Sequence, residues 1–210
     1  MLDYRIAAVC GAALGAALAA RSKYERKSLS VEETEVFSDR LTRDWIFVFL
    51  SDLHENEFGP ENEQLIAAID RIKPDGILIG GDLIVTKKRQ ARTRVSETLL
   101  AALASRYPIY CGNGNHESRM RWRKEEYKDG YEQYSAYLKK LGICLLEDQS
   151  VWIGDEIRVS GLELDPCFYK KAYSKKLALM DQAYIEKKLG PASRDHFQIL
   201  LAHSPLFFEA

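Results

Sequence analysis

Side chains that can bind metal ions follow four apolar runs of this 210-residue sequence, at the points where those runs end. The four ends are Leu50-Ser-Asp52-Leu-His54, Ile79-Gly-Gly-Asp82, Cys111-Gly-Asn-Gly-Asn-His-Glu117 and Leu200-Leu-Ala-His203. A polar turn directly after a buried strand is where an α/β protein places its chemistry. Carboxylates, an amide and imidazoles together suit a first-row divalent metal, so the pattern predicts a metal site.

Each residue type suggests its own contribution to such a site. Asp52 and His54 lie two positions apart at a strand end, so both side chains can turn to one side. Asp82 follows two glycines, where backbone bulk is small, and its two oxygens can bridge two metal ions. Asn115 offers a neutral amide oxygen and His203 a further imidazole. Nitrogen and oxygen ligands without thiolate indicate Mn, Fe or Zn rather than Ca or a structural zinc.

Taken singly, each motif has a simpler explanation. Asp52-Leu-His54 alone is more often a surface pair, Gly80-Gly-Asp82 more often a turn, and His203 more often a core histidine bonded to backbone. Taken together they favour the metal site, because four strand ends in one α/β sheet can converge on the same edge. Three of the four histidines fall at these ends, and the fourth, His196, is predicted to lie on the surface.

Strand-like and helix-like segments alternate along the chain, which predicts an α/β fold. Trp45–Leu50, Gly76–Ile79 and Ile109–Cys111 are apolar runs typical of strands buried on both faces. Helices are predicted from Pro60, over Val95–Ser105, over Arg119–Leu141 and over Leu177–Leu189. Further strands are predicted at Val31–Phe37 (an edge strand), Ile143–Leu146, Val151–Ile153, Ile157–Leu162 and Phe197–Ala202.

Composition excludes several classes of function. The formal net charge of −1 gives no general basic excess, so we expect no nucleic-acid partner. The four cysteines are widely spaced, without a Cys-x-x-Cys pair, and are predicted to be free thiols in a reducing compartment. Phosphate-binding loops of the P-loop and dinucleotide types are absent from the sequence, as is a serine-nucleophile elbow.

Residues 1–29 are predicted to be an N-terminal membrane anchor or signal segment followed by a basic linker. Ile6–Ala20 is an apolar or glycine run, shorter than the ~20 residues that span a bilayer comfortably. The alternatives are a signal peptide cleaved after Ala17-Leu-Ala19 and a buried helix. Basic residues follow the run at 21, 23, 26 and 27, whereas only Arg5 precedes it. The positive-inside rule therefore favours an anchor, with the folded domain over residues 30–210 in the cytoplasm. The basic cluster is either a solvated linker or a contact for anionic lipid head groups.

The motifs resemble those of the calcineurin-like metallophosphoesterases, over about residues 30–210. The resemblance is carried by Asp52-Leu-His54, Gly80-Gly-Asp82, Gly114-Asn-His-Glu117 and the strand-end His203. It is closest to the bacterial membrane-associated branch of that family. The fold implied is a layered α/β/β/α sandwich, and the implied activity is hydrolysis of a phosphodiester or pyrophosphate by water activated between two divalent metal ions. Lipid-linked or nucleotide-sugar substrates, such as a UDP-diacylglucosamine, are implied by analogy with the branch.

The resemblance also implies a role for each site residue. Asp52 and His54 would hold the first metal, Asp82 would bridge both metals, and Asn115 and His203 would hold the second. The same resemblance implies that His116 does not bind metal. It would face the phosphate, where it donates a proton to the leaving group or stabilises its charge.

One departure from the family pattern concerns the C-terminus. The family continues to a Gly-His-x-His motif, whose histidines complete the two metal shells, and Gly-His occurs nowhere in this sequence. We therefore expect the chain to be truncated and to lack its C-terminal strands. The alternative to an active enzyme is a catalytically impaired fragment or a non-catalytic scaffold that keeps the fold.

Overall fold

A computed structural model describes residues 4–25, 27–169 and 180–204 of the chain. Its central feature is a parallel sheet of four strands in the order β1-β2-β5-β6. These strands are β1 (Phe47–Leu50), β2 (Gly76–Ile79), β5 (Ile109–Cys111) and β6 (Cys144–Leu145). Because parallel neighbours point the same way, the loops after β1, β2 and β5 emerge at one edge.

A second sheet has three strands in the order β7-β8-β9. They are β7 (Gln149–Ile153), β8 (Ile157–Leu162) and β9 (Phe197–Ala202), with β8 and β9 parallel. The remaining two strands, β3 (Val85–Lys87) and β4 (Gln90–Arg92), form a separate antiparallel hairpin. His203 follows β9 and therefore comes from the second sheet. The expectation that four strand ends meet in a single sheet is wrong, because the site is assembled from two.

Side-chain alternation along the strands produces two cores. On β2, Ile77 and Ile79 pack into a core shared with the helices, whereas Leu78 packs into a core shared with the second sheet. Residues that alternate along a strand point to opposite faces, so the sheet is buried on both faces at β2. The prediction that Trp45–Leu50 is buried on both faces is wrong, because β1 lies at the edge of the sheet and leaves Phe49 61% exposed. The predicted α/β fold with a layered arrangement is confirmed by this parallel sheet flanked by helices.

The described helices connect and cover the strands. They are α1 (Tyr4–Glu25), α2 (Glu63–Ile72), α3 (Arg94–Ala104), α4 (Asn115–Trp122), α5 (Lys124–Tyr127), α6 (Gly130–Lys140) and α7 (Gln182–Leu189), with 3-10 turns at Pro60–Asn62 and Pro166–Tyr169. Helix α3 shows how they pack: Leu99, Leu100 and Leu103 are all buried against the first sheet. Apolar residues at these spacings form the stripe expected of a core-facing helix.

Two predicted elements differ from the structure. Residues 31–37 contain no strand, although an edge strand was expected there. The single helix predicted over Arg119–Leu141 is divided among α4, α5 and α6. The chain leaves the helical conformation at Arg123 (φ −109°, ψ 57°) and at Lys128 (φ 52°). These breaks let α6 bury Tyr131, Tyr134 and Leu138. The predicted start of the last helix at Leu177 lies outside the described residues, which show α7 from Gln182.

The N-terminal helix α1 has 22 residues, and its described side chains are exposed. Within the part of the chain that the structure describes, none of the helices combines the length and apolar character needed to cross a membrane.

Candidate metal centre

Asp82 lies at the centre of a cluster of imidazoles and carboxylates. One triad of potential ligand atoms comes from His54, Asp82 and His116, and a second from Asp52, Asp82 and His203. Within each triad the ligand atoms lie within 4.8 Å of one another. Asp82 belongs to both triads and is almost fully buried, whereas Asp52 remains open to solvent. The structure thus brings together Asp52, His54, Asp82 and His203, the four predicted histidine and carboxylate ligands, and places His116 beside them.

The first loop of the site owes its shape to backbone hydrogen bonds to the second. Asp52 donates its N–H to the carbonyl of Gly81 at 3.0 Å, and His54 donates its N–H to the carbonyl of Asp82 at 3.0 Å. Asp52, His54 and Asp82 all have positive φ angles, of 56°, 49° and 54°. Left-handed backbone at non-glycine residues costs energy and is found preferentially where a functional geometry is held in place. His54 Nε2 lies 3.5 Å from Asp52 Oδ1 and 3.8 Å from Asp82 Oδ2.

Two glycines allow the loops after β2 and β5 to touch. A Cβ atom added to Gly81 would lie 2.2 Å from the backbone nitrogen of Gly114. In return, a Cβ on Gly114 would lie 2.3 Å from Asp82 Oδ1. Gly81 also has a φ of +97°, which L side chains rarely adopt. Only glycine fits at these two positions, and this close contact brings Asp82 against the start of α4.

Glu117 is hydrogen-bonded to the backbone of the same two loops, a role that was not predicted from the sequence. Its carboxylate is buried and accepts N–H groups from Asp82 at 2.9 Å, Leu83 at 3.0 Å, Ile84 at 3.4 Å and Gly114 at 3.0 Å. Burial and the nearby charge of Asp82 raise the pKa of Glu117 to about 7, against the backbone hydrogen bonds that lower it. Glu117 stands three residues after Gly114, the spacing of a helix capping box, and this was the available sequence signal.

His203 is oriented for ligation through Nε2. Its Nδ1 lies 2.7 Å from the carbonyl oxygen of Gly80, so Nδ1 carries the hydrogen that is donated. Nε2 then faces Asp82 Oδ2 at 3.3 Å and Asp52 Oδ1 at 3.9 Å. Burial lowers the pKa of His203, but the hydrogen bond and charge of Asp82 outweigh it and raise the pKa to about 9. A carbonyl that fixes the ring of a ligating histidine is common around metal ions.

His116 has the opposite arrangement of its ring nitrogens. The N–H of Thr86 donates to Nδ1 at 2.7 Å, so Nδ1 is an acceptor and the hydrogen of the neutral ring sits on Nε2. Nε2 points toward Asp82 Oδ2 at 4.0 Å. Burial lowers the pKa of His116, and the charge of Arg119 adds to this against the opposing charge of Asp82. A neutral ring with its hydrogen on Nε2 is a hydrogen-bond donor at the site rather than a metal ligand. Thr86 was also missed from sequence, because the N–H that it donates to Nδ1 is a backbone group; its hydroxyl lies beside the same ring atom at 3.0 Å.

Asn115 lies beside Asp82 as the first residue of α4, four residues before the helix start predicted at Arg119. Its Nδ2 atom donates to Asp82 Oδ2 at 2.7 Å, and the backbone N–H of His116 donates to Asp82 Oδ1 at 2.7 Å. A turn of the amide about its terminal bond exchanges Nδ2 for Oδ1 and presents the oxygen expected of a ligand. The fourth histidine, His196, belongs to neither triad of potential ligands. It is half-buried and packs edge-on against Trp152, with the ring centroids 4.7 Å apart.

The donor set fits divalent metal ions. Burial acts to raise the pKa of Asp82, but the hydrogen bond from His203 and the backbone N–H of His116 lower it below its usual value. Ionised carboxylates 3–4 Å from imidazole nitrogens, without lysine or arginine ion pairs to neutralise them among the described residues, concentrate negative charge where a cation would sit. Imidazole and carboxylate are the ligands of Mn, Fe and Zn.

The comparison with known families agrees with this geometry. Residues 46–209 match the family model described as calcineurin-like phosphoesterase. No curated protein matches the chain. The matched range contains every residue of the cluster and more than half of the chain. This protein therefore belongs to the calcineurin-like phosphoesterase family, whose members are hydrolases of phosphate esters.

Proposed function

We propose that the protein hydrolyses a phosphodiester or pyrophosphate bond at two divalent metal ions, of Mn, Fe or Zn. The observation that carries the proposal is the position of Asp82, which belongs to two triads of potential ligands at once. By the resemblance to the family, Asp52 and His54 would hold one ion, Asn115 and His203 would hold the other, and Asp82 would serve both. The two triads group the same residues differently, with Asp52 beside His203 and His54 beside His116, and they share Asp82. When bound, the ions supply the Lewis acidity that activates water and stabilises charge on the phosphoryl group.

The protein residues supply position and a hydrogen-bond donor. Gly81 and Gly114 hold the loops close enough for one carboxylate to serve both ions. His116 directs Nε2–H toward the site, because Thr86 occupies Nδ1. That N–H group can donate a hydrogen bond to a phosphoryl oxygen or to the leaving-group oxygen. The hydrogen bond would stabilise the negative charge that develops on that oxygen during hydrolysis. No side chain needs to attack phosphorus, so a covalent protein intermediate is not part of the mechanism.

The proposal of a particular substrate is more specific than that of the reaction, and it rests on the sequence alone. A lipid-linked or UDP-sugar substrate is supported only by the resemblance to the membrane-associated branch. Association of residues 1–29 with a membrane and the cytoplasmic location of the domain stay predictions from the same sequence patterns.

Hydrolysis of bis(p-nitrophenyl) phosphate, with and without added Mn²⁺, Fe²⁺ or Zn²⁺, tests the proposal. We expect metal-dependent release of p-nitrophenol that falls at least 100-fold in Asp82→Asn, which removes the shared ligand. Asp155→Asn changes an exposed aspartate in the turn after β7 and serves as the matched control. His116→Ala should lose turnover while keeping metal binding, measured by calorimetry. Metal binding without any turnover in the unmodified protein would instead support a non-catalytic scaffold.

A further inference from the structure

The antiparallel hairpin of β3 and β4 carries a dense positive charge. Residues 87–94 contain Lys87, Lys88, Arg89, Arg92 and Arg94, and no acidic residue stands between Asp82 and Glu97. The five basic residues contrast with a chain whose net charge is −1. All but Arg94, which begins α3, lie in the hairpin, and the residues from 87 to 92 are exposed. We call residues 85–92 the cationic hairpin.

The basic groups of this hairpin have no ionic partners among the described residues, unlike their neighbours. Nearby on α4 and α5, Arg121 pairs with Glu147 and Lys124 with Glu132. Within the described parts of the chain, no carboxylate pairs with Lys87, Lys88, Arg89 or Arg92. Like charges at this density repel one another, and an anion bound among them relieves that repulsion.

Two basic residues occupy the turn of the hairpin, although its backbone conformation favours asparagine and glycine. Lys87 pairs with Gln90, so the turn consists of Lys88 and Arg89 alone. Their φ angles are 51° and 62°, both in the left-handed region. Two-residue hairpin turns of this kind strongly favour Asn-Gly, and long side chains at both positions carry an energetic cost. A cost of this kind at an exposed tip suggests that the two side chains are kept for binding.

The base of the hairpin is attached to the metal centre through Thr86. This residue is 1% exposed, donates its N–H to His116 Nδ1 at 2.7 Å, and accepts a hydrogen bond at its carbonyl from Arg119 at 2.9 Å. His116 therefore lies between Asp82 and the hairpin. A strand rises about 3.3 Å per residue, so the Cα of Lys87 lies about 3 Å beyond that of Thr86, and the turn of Lys88 and Arg89 follows directly. The exposed basic side chains therefore begin one residue after the group that orients His116.

We propose that the cationic hairpin binds a second phosphate of the substrate, beside the phosphate that reacts at the metal centre. This inference rests on the proposed function, which places the first phosphate beside His116. The substrate class is then a nucleotide or phosphosugar that carries an additional phosphate group. Lys88 and Arg89 at the turn, together with Lys87, supply the positive charge that selects it.

Calorimetric titration of the full-length, Mn²⁺-loaded protein with two nucleotides tests the proposal. Thymidine 3′,5′-bisphosphate carries the additional phosphate, and thymidine 5′-monophosphate lacks it. We expect the unmodified protein to bind the bisphosphate about tenfold more tightly, the effect of one or two partly screened charge pairs. The difference should shrink as salt is raised.

The informative variant is Lys88→Asn/Arg89→Gly. It removes two charges and installs the turn sequence that the observed backbone prefers, so the hairpin keeps its shape. The matched control is Arg71→Gln/Lys73→Asn, which also removes two exposed charges and also changes a residue with positive φ (Lys73, 54°). Residues 71–73 precede β2 and lie at the opposite edge of the sheet from the metal centre.

We expect the hairpin variant to bind both nucleotides with nearly equal affinity and the control variant to keep the preference. An unchanged preference in the hairpin variant, or equal binding by the unmodified protein, would overturn the subsite. So would a hairpin variant that loses binding to phosphatidylglycerol vesicles but keeps its preference for the bisphosphate, because the hairpin would then serve a membrane surface. Failure to hydrolyse bis(p-nitrophenyl) phosphate refutes the proposed function, whereas equal binding of the two nucleotides by the unmodified protein refutes the subsite alone.

Discussion

Replacement of Glu117 by glutamine tests how the metal centre is held together. The carboxylate accepts four backbone N–H groups, two on each oxygen. Glutamine has one oxygen and an NH₂ group of nearly the same shape. Whichever way the amide turns, two backbone N–H groups face NH₂ and lose their acceptor. The pair is either Asp82 with Gly114 or Leu83 with Ile84.

The expected cost follows from this count. A buried donor left without an acceptor costs about 1–3 kcal/mol, so two of them cost about 2–6 kcal/mol of unfolding free energy. This is a large part of the 5–15 kcal/mol that stabilises a typical domain. Urea unfolding of the metal-free protein, followed by circular dichroism, measures the difference. Glu125→Gln, at an exposed site on α5, is the control and should change stability by less than about 0.5 kcal/mol.

Metal affinity provides a second measurement on the same variants. Glu117 Oε2 accepts the N–H groups of Asp82 and Gly114. Loss of this carboxylate therefore loosens both the loop that carries Asp82 and the loop that leads into α4. Loss of such a supporting contact lowers metal affinity about 10–100-fold. Glu117→Asp keeps the charge on a shorter side chain and should fall between the unmodified protein and Glu117→Gln. If Glu117→Gln matched Glu125→Gln in both stability and Mn²⁺ affinity, the assignment of Glu117 as the link between the loops would be refuted.

Three further predictions concern the same centre. Gly114→Ala places a Cβ 2.3 Å from Asp82 Oδ1, so we expect it to abolish Mn²⁺ binding in calorimetry, while Gly130→Ala, whose Cβ meets nothing closer than 3.5 Å, should bind normally. The folded-state pKa of His203 is raised to about 9 from 6.5, so its contribution to metal-free stability is complete below pH 6.5 and is lost as pH rises through 9. The difference in unfolding free energy between the unmodified protein and His203→Gln should be larger at pH 6 than at pH 9.5. An equal difference at the two pH values would contradict this assignment. Chelation with EDTA should lower the melting temperature of the unmodified protein but leave Asp82→Asn unchanged, and an equal decrease in both would place the metal elsewhere.

The sequence predicted the parts of the fold that depend on local pattern. The apolar runs at β1, β2 and β5 identified the parallel strands because strands of a parallel sheet are rich in apolar residues, even though the edge strand β1 leaves Phe49 exposed. The polar residues after them identified the site because parallel strands end together. His203 was also identified, although the sequence offered no way to assign β9 to the second sheet. Pairing between distant strands depends on complementary surfaces rather than on the composition of either strand.

Breaks within helical sequence were not predictable in the same way. Tyr131, Tyr134 and Leu138 gave α6 a clear apolar face, but no proline or paired glycine marked the end of α4 at Trp122. The chain turns at Arg123 because packing of α6 into the core outweighs local helix preference. Tertiary contacts of this kind leave little trace in a single sequence.

The two histidines beside Asp82 show why residue types alone do not assign roles. Nε2 of His203 and of His116 lie at comparable distances from Asp82 Oδ2, 3.3 and 4.0 Å, so distance alone would admit both as ligands. The group that meets each Nδ1 separates them. A carbonyl oxygen at His203 requires a hydrogen on Nδ1 and leaves Nε2 free to bind a metal ion. The amide N–H of Thr86 at His116 requires a bare Nδ1 and leaves the hydrogen on Nε2, where it can reach a phosphoryl oxygen. Both partners are backbone groups, so the difference between ligand and donor is set by the fold that brings them there.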